Sequence, residues 1–143
     1  MREILFRGKR VDNGEWVYGF YIKATHHWHD YGIHEDWIAT DAVQNGGWCN
    51  IHGKHAVIPE TVGQYTGLTD KNGKKIFEGD IVEYMGLWGG NWDVCFSADR
   101  CGWYPFACGD GRGCCESINV KEPNNGVVIG NIHDSPELLE GGE

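Results

Sequence analysis

The sequence predicts a mainly β chain, and three observations predict it. Glycine is abundant, 22 residues against four prolines, which suits many tight turns. Aromatics make up 13% of the 143 residues, gathered with valine and isoleucine into runs of strand length. Asn13-Gly14 and Asn72-Gly73 each separate two such runs, the strongest short-range hairpin signal. A chain of this length can bury a core without metals or cross-links. Residues 1–143 are therefore read as one domain.

The elements follow in order. ILFRGKR and EWVYGFYI flank Val11-Asp12-Asn13-Gly14 and form an opening hairpin, with Asn-Gly supplying the positive φ of its turn. Trp16, Tyr18 and Phe20 alternate with Val17, Gly19 and Tyr21, a period of two that fits a sheet with one packed face. Residues 23–56 change character, holding six of the seven histidines and three of the seven tryptophans. They read as a long irregular excursion with short strands around WIATDAV and HAVIP. Order returns with VIPETVGQYTGL, a DKNG turn and KKIFEGDIVEY. A second irregular excursion, 86–126, is rich in Gly, Trp and Cys. VVIGNI is a closing strand. In HDSPELLEGGE, Ser135 suits an N-cap, Pro136 the first helical position and Gly141 a stop. That gives a short C-terminal helix of about two turns.

The stretch GLTDKNGKK, residues 67–75, nearly spells a phosphate-binding loop. Such a loop needs Gly, four residues, then Gly-Lys-Ser/Thr, because its backbone wraps the phosphates and its hydroxyl ligates magnesium. Here five residues separate Gly67 from Gly73, and Lys75 stands where the hydroxyl belongs. A calcium loop starting at Asp70 fails too, with Lys75 at its sixth position and Ile81 at its twelfth. Asp70-Lys71-Asn72-Gly73 between extended runs suits a type I turn with a glycine bulge, or an Asn-Gly turn one residue on. The stretch turns the chain.

The same segments carry a resemblance. M-R-E-I-x-F-R (Met1 to Arg7), Y-T-G-L-T-D-K-N-G-K-x-I-F-E-G-D-I-V (Tyr65 to Val82) and V-I-G-N-I-x-x-x-P-E-L-L (Val128 to Leu139) are similar to the YopX family of phage and prophage proteins. The shared motifs span roughly residues 1–22, 57–84 and 127–141. The resemblance implies a bacteriophage or prophage protein with a small barrel-like (SH3-like) β core. It implies no biochemical activity and no catalytic residues, and it does not reach the two excursions.

Charge and hydropathy narrow the classes. The formal net charge of −9 opposes a dominant attraction to nucleic-acid phosphates or anionic membranes. The run Ile4-Leu5-Phe6 is too short for a signal-peptide core, and no apolar stretch approaches the ~20 residues of a membrane span. A cytoplasmic protein of the bacterial host is expected, with Cys49, Cys95, Cys101, Cys108, Cys114 and Cys115 as thiols or metal ligands rather than disulfides.

Several constellations invite chemistry. His26, His27, His29 and Asp30, then His34, Glu35 and Asp36, with His52 and His55 further on, supply imidazoles and carboxylates of the kind zinc or non-haem iron takes. In an extended segment His27 and His29 share a side. The spacing matches no metal template, however, and a solvated loop explains it as well. The cysteines include no C-x-x-C, and Gly109 to Gly113 is a loop rather than a dinucleotide fingerprint. Glu78 and Asp80 flank Gly79 as turn formers, and no nucleophile elbow is present. Arg2, Arg7, Lys9 and Arg10 on the first hairpin and Lys71, Lys74 and Lys75 on the DKNG turn hold seven of the twelve basic residues. With Tyr18 and Tyr21 they could stack and neutralise a single strand of nucleic acid, although Glu3, Asp12, Glu15 and Glu78 offset the charge. Trp28, Trp37, Trp48, Trp88, Trp92 and Trp103 fall in the excursions, and any exposed subset would suit a protein interface.

The sequence thus predicts a non-catalytic binding module. A host or phage protein is its expected partner, with a homo-oligomer possible in form. No catalytic residue, metal site or cofactor is assigned. A metal-dependent enzyme using the His26–Asp36 cluster and a single-stranded nucleic-acid binder using the basic hairpins are the alternatives.

Overall fold

The computed structural model describes residues 3–23, 36–45, 48–86, 89–98, 102–106 and 125–140, with backbone only for 41–45, 48–52 and 140. They fall into two units, Met1–Tyr65 and Thr66–Glu143. In the first, β1 (Phe6–Lys9) and β2 (Trp16–Lys23) pair antiparallel, Arg7 opposite Tyr18 and Lys9 opposite Trp16. The turn between them forms as its Asn-Gly pair requires. Gly14 lies at φ 72°, its N–H donates to the Arg10 carbonyl at 3.0 Å, and the Asn13 side-chain oxygen accepts the Glu15 N–H at 2.9 Å.

β3 (Asp36–Asn45) and β4 (Trp48–Ala56) pair from Asn45–Trp48 to Trp37–Ala56. β2 pairs with β3, and the first residues of β5 (Gly63–Thr69) pair with β1, giving the order β4-β3-β2-β1-β5. The strand expected around WIATDAV lies within β3, but 23–56 contains a long hairpin rather than an irregular excursion with short strands, which corrects that part of the sequence reading. β4 (WCNIHGKHA) has one β-branched residue and a glycine, so its intrinsic preference is weak. Its strand state comes from pairing with β3, the context dependence expected of β structure. β2 also passes close to β3: a Cβ on Gly19 would lie 2.1 Å from the Ala39 carbonyl oxygen.

Alternation decides which face of this sheet is buried. Val17, Ile38 and Val57 form a buried cluster, with Phe6, Tyr21 and Val62 packed against it. Each fully buried aliphatic contributes about 2 kcal/mol. At the edge of this core the Tyr21 hydroxyl donates to Asp36 Oδ1, and Asp36 is itself buried. Beyond β4, Val57 bridges to Arg10, Val11 N–H donates to the Ala56 carbonyl and Ile58 N–H to the Lys9 carbonyl, each at 2.9 Å.

In the second unit, the end of β5 runs into the DKNG turn and β6 (Lys75–Phe77) returns beside it. The Gly73 N–H donates to the Asp70 carbonyl at 3.0 Å and Gly73 lies at φ 80°, which selects the type I turn with a left-handed glycine. β7 (Asp80–Tyr84) is central between β8 (Gly90–Asp93) and β11 (Val127–Asn131), and β9 (Cys95–Ser97) pairs with β10 (Gly102–Tyr104). Strands thus run through part of 86–126 as well, a second correction to the irregular reading. The buried cluster is Ile76, Val82, Tyr84, Val94 and Val128. The terminal helix α1 spans only Glu137–Glu140, one turn rather than two. The mainly β class holds, but the sheets among the described residues are not closed into a barrel, so the SH3-like core is not established. None of the described helices is long and apolar enough to cross a membrane.

One buried carboxylate ties this unit together. Asp70 is 4% exposed. Its Oδ1 accepts the Asn72 and Lys74 N–H groups at 2.9 Å, and its Oδ2 accepts the Val128 N–H at 3.0 Å. Burial pushes the carboxyl up, yet the three N–H donors, with the charge of Lys74, outweigh it and hold the group below its ordinary 3.8. Asp80, 2% exposed, accepts the Phe77 N–H at 2.8 Å.

Two stability predictions follow the two polar contacts. Asp70→Ala leaves three amides unanswered and is expected to cost about 3 kcal/mol in urea unfolding. Because its folded pKa is depressed, Asp70 contributes stability that is present above the unfolded value and lost as pH falls through the folded one; part of the wild-type acid slope should be missing in Asp70→Asn. Tyr21 shifts the other way. Burial, then the hydrogen bond and charge of Asp36, push its phenol from 10.0 to about 12. Its contribution is full below pH 10 and lost as pH rises toward 12, so Tyr21→Phe should cost about 1 kcal/mol at neutral pH and flatten that alkaline loss in denaturant titrations.

Candidate functional site

With Val17 and Tyr21 committed to the core, period-two alternation puts Trp16, Tyr18 and Phe20 on the opposite face of β2. Cross-strand register adds Arg7 and Lys9 from β1, and through Phe20–Ala39 and Ala39–Lys54 it adds Trp37 and Lys54 from β3 and β4. Tyr18 is 48% and Phe20 57% exposed. Trp16 and Trp37 are half-buried, and Arg7 is buried.

The cations on this face lie against its tryptophans. The Arg7 guanidinium carbon is 4.6 Å and Lys9 Nζ 5.7 Å from the Trp16 ring centroid, and Lys54 Nζ is 5.6 Å from that of Trp37. These are cation–π distances, and they let long basic side chains cover aromatic surface while keeping positive charge on the face. The face therefore offers flat aromatic area and positive charge together. Tyr18 and Phe20, both exposed, are neighbours along one strand face.

The residues singled out in the sequence are distributed as follows. Of the two tyrosines read as stacking groups, Tyr18 faces solvent. Tyr21 does not: it packs on Phe6 at 5.7 Å between centroids and bonds Asp36. Arg10 is held by Asp12 through Nε at 3.0 Å and Nη2 at 2.6 Å, and this hydrogen bond lowers the Asp12 carboxyl below its ordinary value. Lys71, Lys74 and Lys75 are exposed on the second unit's turn. Arg2 lies outside the described residues.

The metal-type constellation is mostly beyond the description. His26, His27, His29, Asp30, His34 and Glu35 lie outside the described residues, and of His52 only the backbone pairing with Asp41 is given. Asp36 is engaged by Tyr21, and His55 pairs across from Ile38. Among the described residues no group of three or more His, Cys, Asp or Glu is placed to hold a metal ion. Cys101, Cys108, Cys114, Cys115 and the Gly109–Gly113 loop are likewise outside, and Cys49 is described by backbone only. Cys95 is exposed; what burial it has, with the Asp93 and Glu78 carboxylates, pushes its thiol up, away from a reactive thiolate. Burial likewise pushes the Glu78 carboxyl up.

The tryptophans divide. Trp92 stands edge-on to Tyr104 at 6.1 Å and Trp103 edge-on to Phe96 at 5.4 Å, and both pack against the second core. Trp28 and Trp88 lie outside the described residues, and Trp48 is described by backbone only. Sequence reasoning had set Trp16, Tyr18 and Phe20 on one side of a strand. It did not connect them to Lys54 or Trp37, which reach this face through the β3–β4 hairpin.

Comparison with known proteins places the whole chain. The crystal structure of protein EF1440 from Enterococcus faecalis is similar, with a TM-score of 0.54 and 25% identity over 97% of this chain and 99% of that one. No curated protein matches. A family model described as YopX protein matches residues 5–140. That match takes in both units and the segments between the shared motifs, and the chain belongs to the YopX family.

Proposed function

We propose that this protein is a non-catalytic binding module of a phage or prophage, working in the bacterial cytoplasm, whose partner is a host or phage protein. The exposure of Tyr18 and Phe20, 48% and 57%, on a face that also bears Trp16, Arg7 and Lys9 is the observation that carries this reading. Aromatic and arginine side chains dominate the energetics of protein interfaces. The partner segment complementary to this face presents an apolar side chain beside acidic ones.

The same combination of aromatic area and positive charge also suits a single strand of nucleic acid. Charge favours the protein. A nucleic-acid backbone is a long polyanion, and a chain of net charge −9 repels it over the Debye length of about 8 Å. A short acidic protein segment meets mainly the local patch.

Tagged wild-type protein and the Tyr18→Ser/Phe20→Ser double variant would be used to capture partners from phage-infected bacterial lysate, with and without nuclease. A protein retained after nuclease, and depleted about thirtyfold with the double variant as loss of a hot spot of about 2 kcal/mol requires, is the expected result. Retention should weaken at high salt. Capture that the double variant leaves unchanged, or that nuclease abolishes, overturns the reading.

A further inference from the structure

At the corner where the first hairpin turn meets the end of β4, the first unit holds a pocket of about 360 Å³. Its walls include Arg10 and Asp12 from the turn, Trp37 from β3, and Lys54, His55 and Ala56 from β4. From this pocket we infer a binding site for a free nucleoside monophosphate, a planar aromatic body carrying a phosphate monoester. It shares Trp37 and Lys54 with the sheet face that bears Tyr18 and Phe20, uses neither of those two exposed aromatics, and does not rest on the proposed function.

Size sets the lower bound on the ligand. A liquid water occupies about 30 Å³, so the pocket has room for about twelve waters, far more than an inorganic phosphate needs. It sits at the small end of the ~300–1,000 Å³ range of organic-ligand sites, the size of a mononucleotide.

Chemistry sets the class. Arg10 and Lys54 outweigh Asp12 by one positive charge, on a chain whose net charge is −9. His55 contributes at the edge by position only, since it pairs with the core residue Ile38 and alternation turns its side chain to the other face. Two cationic side chains on one concave surface suit the non-bridging oxygens of a phosphate, which accept charge-assisted hydrogen bonds. Trp37 supplies an aromatic wall of the kind that bases stack on. Lys54 Nζ, 5.6 Å from the Trp37 ring centroid, keeps a positive charge beside that wall, so one ligand can meet both.

The site is also organised in advance. Asp12 holds the Arg10 guanidinium through two oxygens at 3.0 and 2.6 Å. Val11 N–H to the Ala56 carbonyl, at 2.9 Å, joins the turn wall to the β4 wall. The Thr40 hydroxyl donates to the Gly53 carbonyl at 3.1 Å, fixing the backbone beside Lys54. Groups held in place by their own partners lose little freedom on binding.

The test is isothermal titration calorimetry of the full chain with AMP, adenosine and inorganic phosphate, on wild type, Lys54→Gln and Lys75→Gln. Lys75 is exposed at the start of β6 and does not line the pocket, so its substitution removes the same charge elsewhere. The expected result is AMP binding in the submillimolar range, with adenosine and inorganic phosphate each at least about tenfold weaker. Lys54→Gln should weaken AMP about tenfold, and Lys75→Gln less than about twofold. Trp37→Leu, with fold checked by circular dichroism, should weaken AMP and leave phosphate binding unchanged. Equal affinity for AMP and adenosine, equal losses in the two lysine variants, or AMP binding weaker than about 5 mM overturns the inference.

Discussion

The Asp70 carboxylate is the constraint on which the second unit depends. It sits at the mouth of the DKNG turn, where its Oδ1 answers two amides of the turn itself, while its Oδ2 reaches the Val128 N–H, 58 residues away in sequence. The Lys71 N–H to the Gly126 carbonyl, at 2.8 Å, adds a backbone bond between the same two segments. Burying a carboxylate is costly unless its oxygens are answered, and here three amides answer them. The bonds also bring Val128 to the cluster that contains Ile76 and Val82. A local turn signal and a distant strand are thereby joined through one side chain.

This arrangement explains why the family motif says so much about fold and so little about activity. Within Tyr65 to Val82, Gly73 takes the left-handed conformation, Asp70 ties turn to strand, Asp80 accepts the Phe77 N–H, and Ile76, Ile81 and Val82 are buried. Thr66 is used as well, its hydroxyl donating to the Ile76 carbonyl at 2.8 Å. These motif residues all have structural occupations.

The first unit uses its side chains differently. One face of its sheet is spent on the Val17, Ile38 and Val57 cluster, and the close passage of β2 over β3 at Gly19 leaves no room there for another residue. The opposite face keeps its aromatics partly in solvent, with Arg7 and Lys9 laid against Trp16. The weakly hydrated guanidinium of Arg7 is buried against the electron-rich face of Trp16. The buried cluster and the exposed aromatics thus lie on opposite sides of the same strands.

The sequence by itself determined the mainly β class, both Asn-Gly hairpins and the family, because these rest on local chemistry: positive φ at Gly14 and Gly73, period-two alternation in β2, and an unbroken motif. It also set Trp16, Tyr18 and Phe20 on one side of their strand. It did not determine the β3–β4 hairpin, since WCNIHGKHA has little strand preference of its own and becomes a strand only when β3 supplies its hydrogen bonds. Nor did it separate Tyr18 from Tyr21, which have the same chemistry and an odd spacing whose meaning depends on which face the core takes. Only the tertiary structure, by pairing Ala39 with Lys54 and the turn residue Val11 with Ala56, brought Arg10, Trp37 and Lys54 around one pocket. Those residues lie far apart in sequence, and no local rule relates them until backbone pairing across the sheet fixes the register.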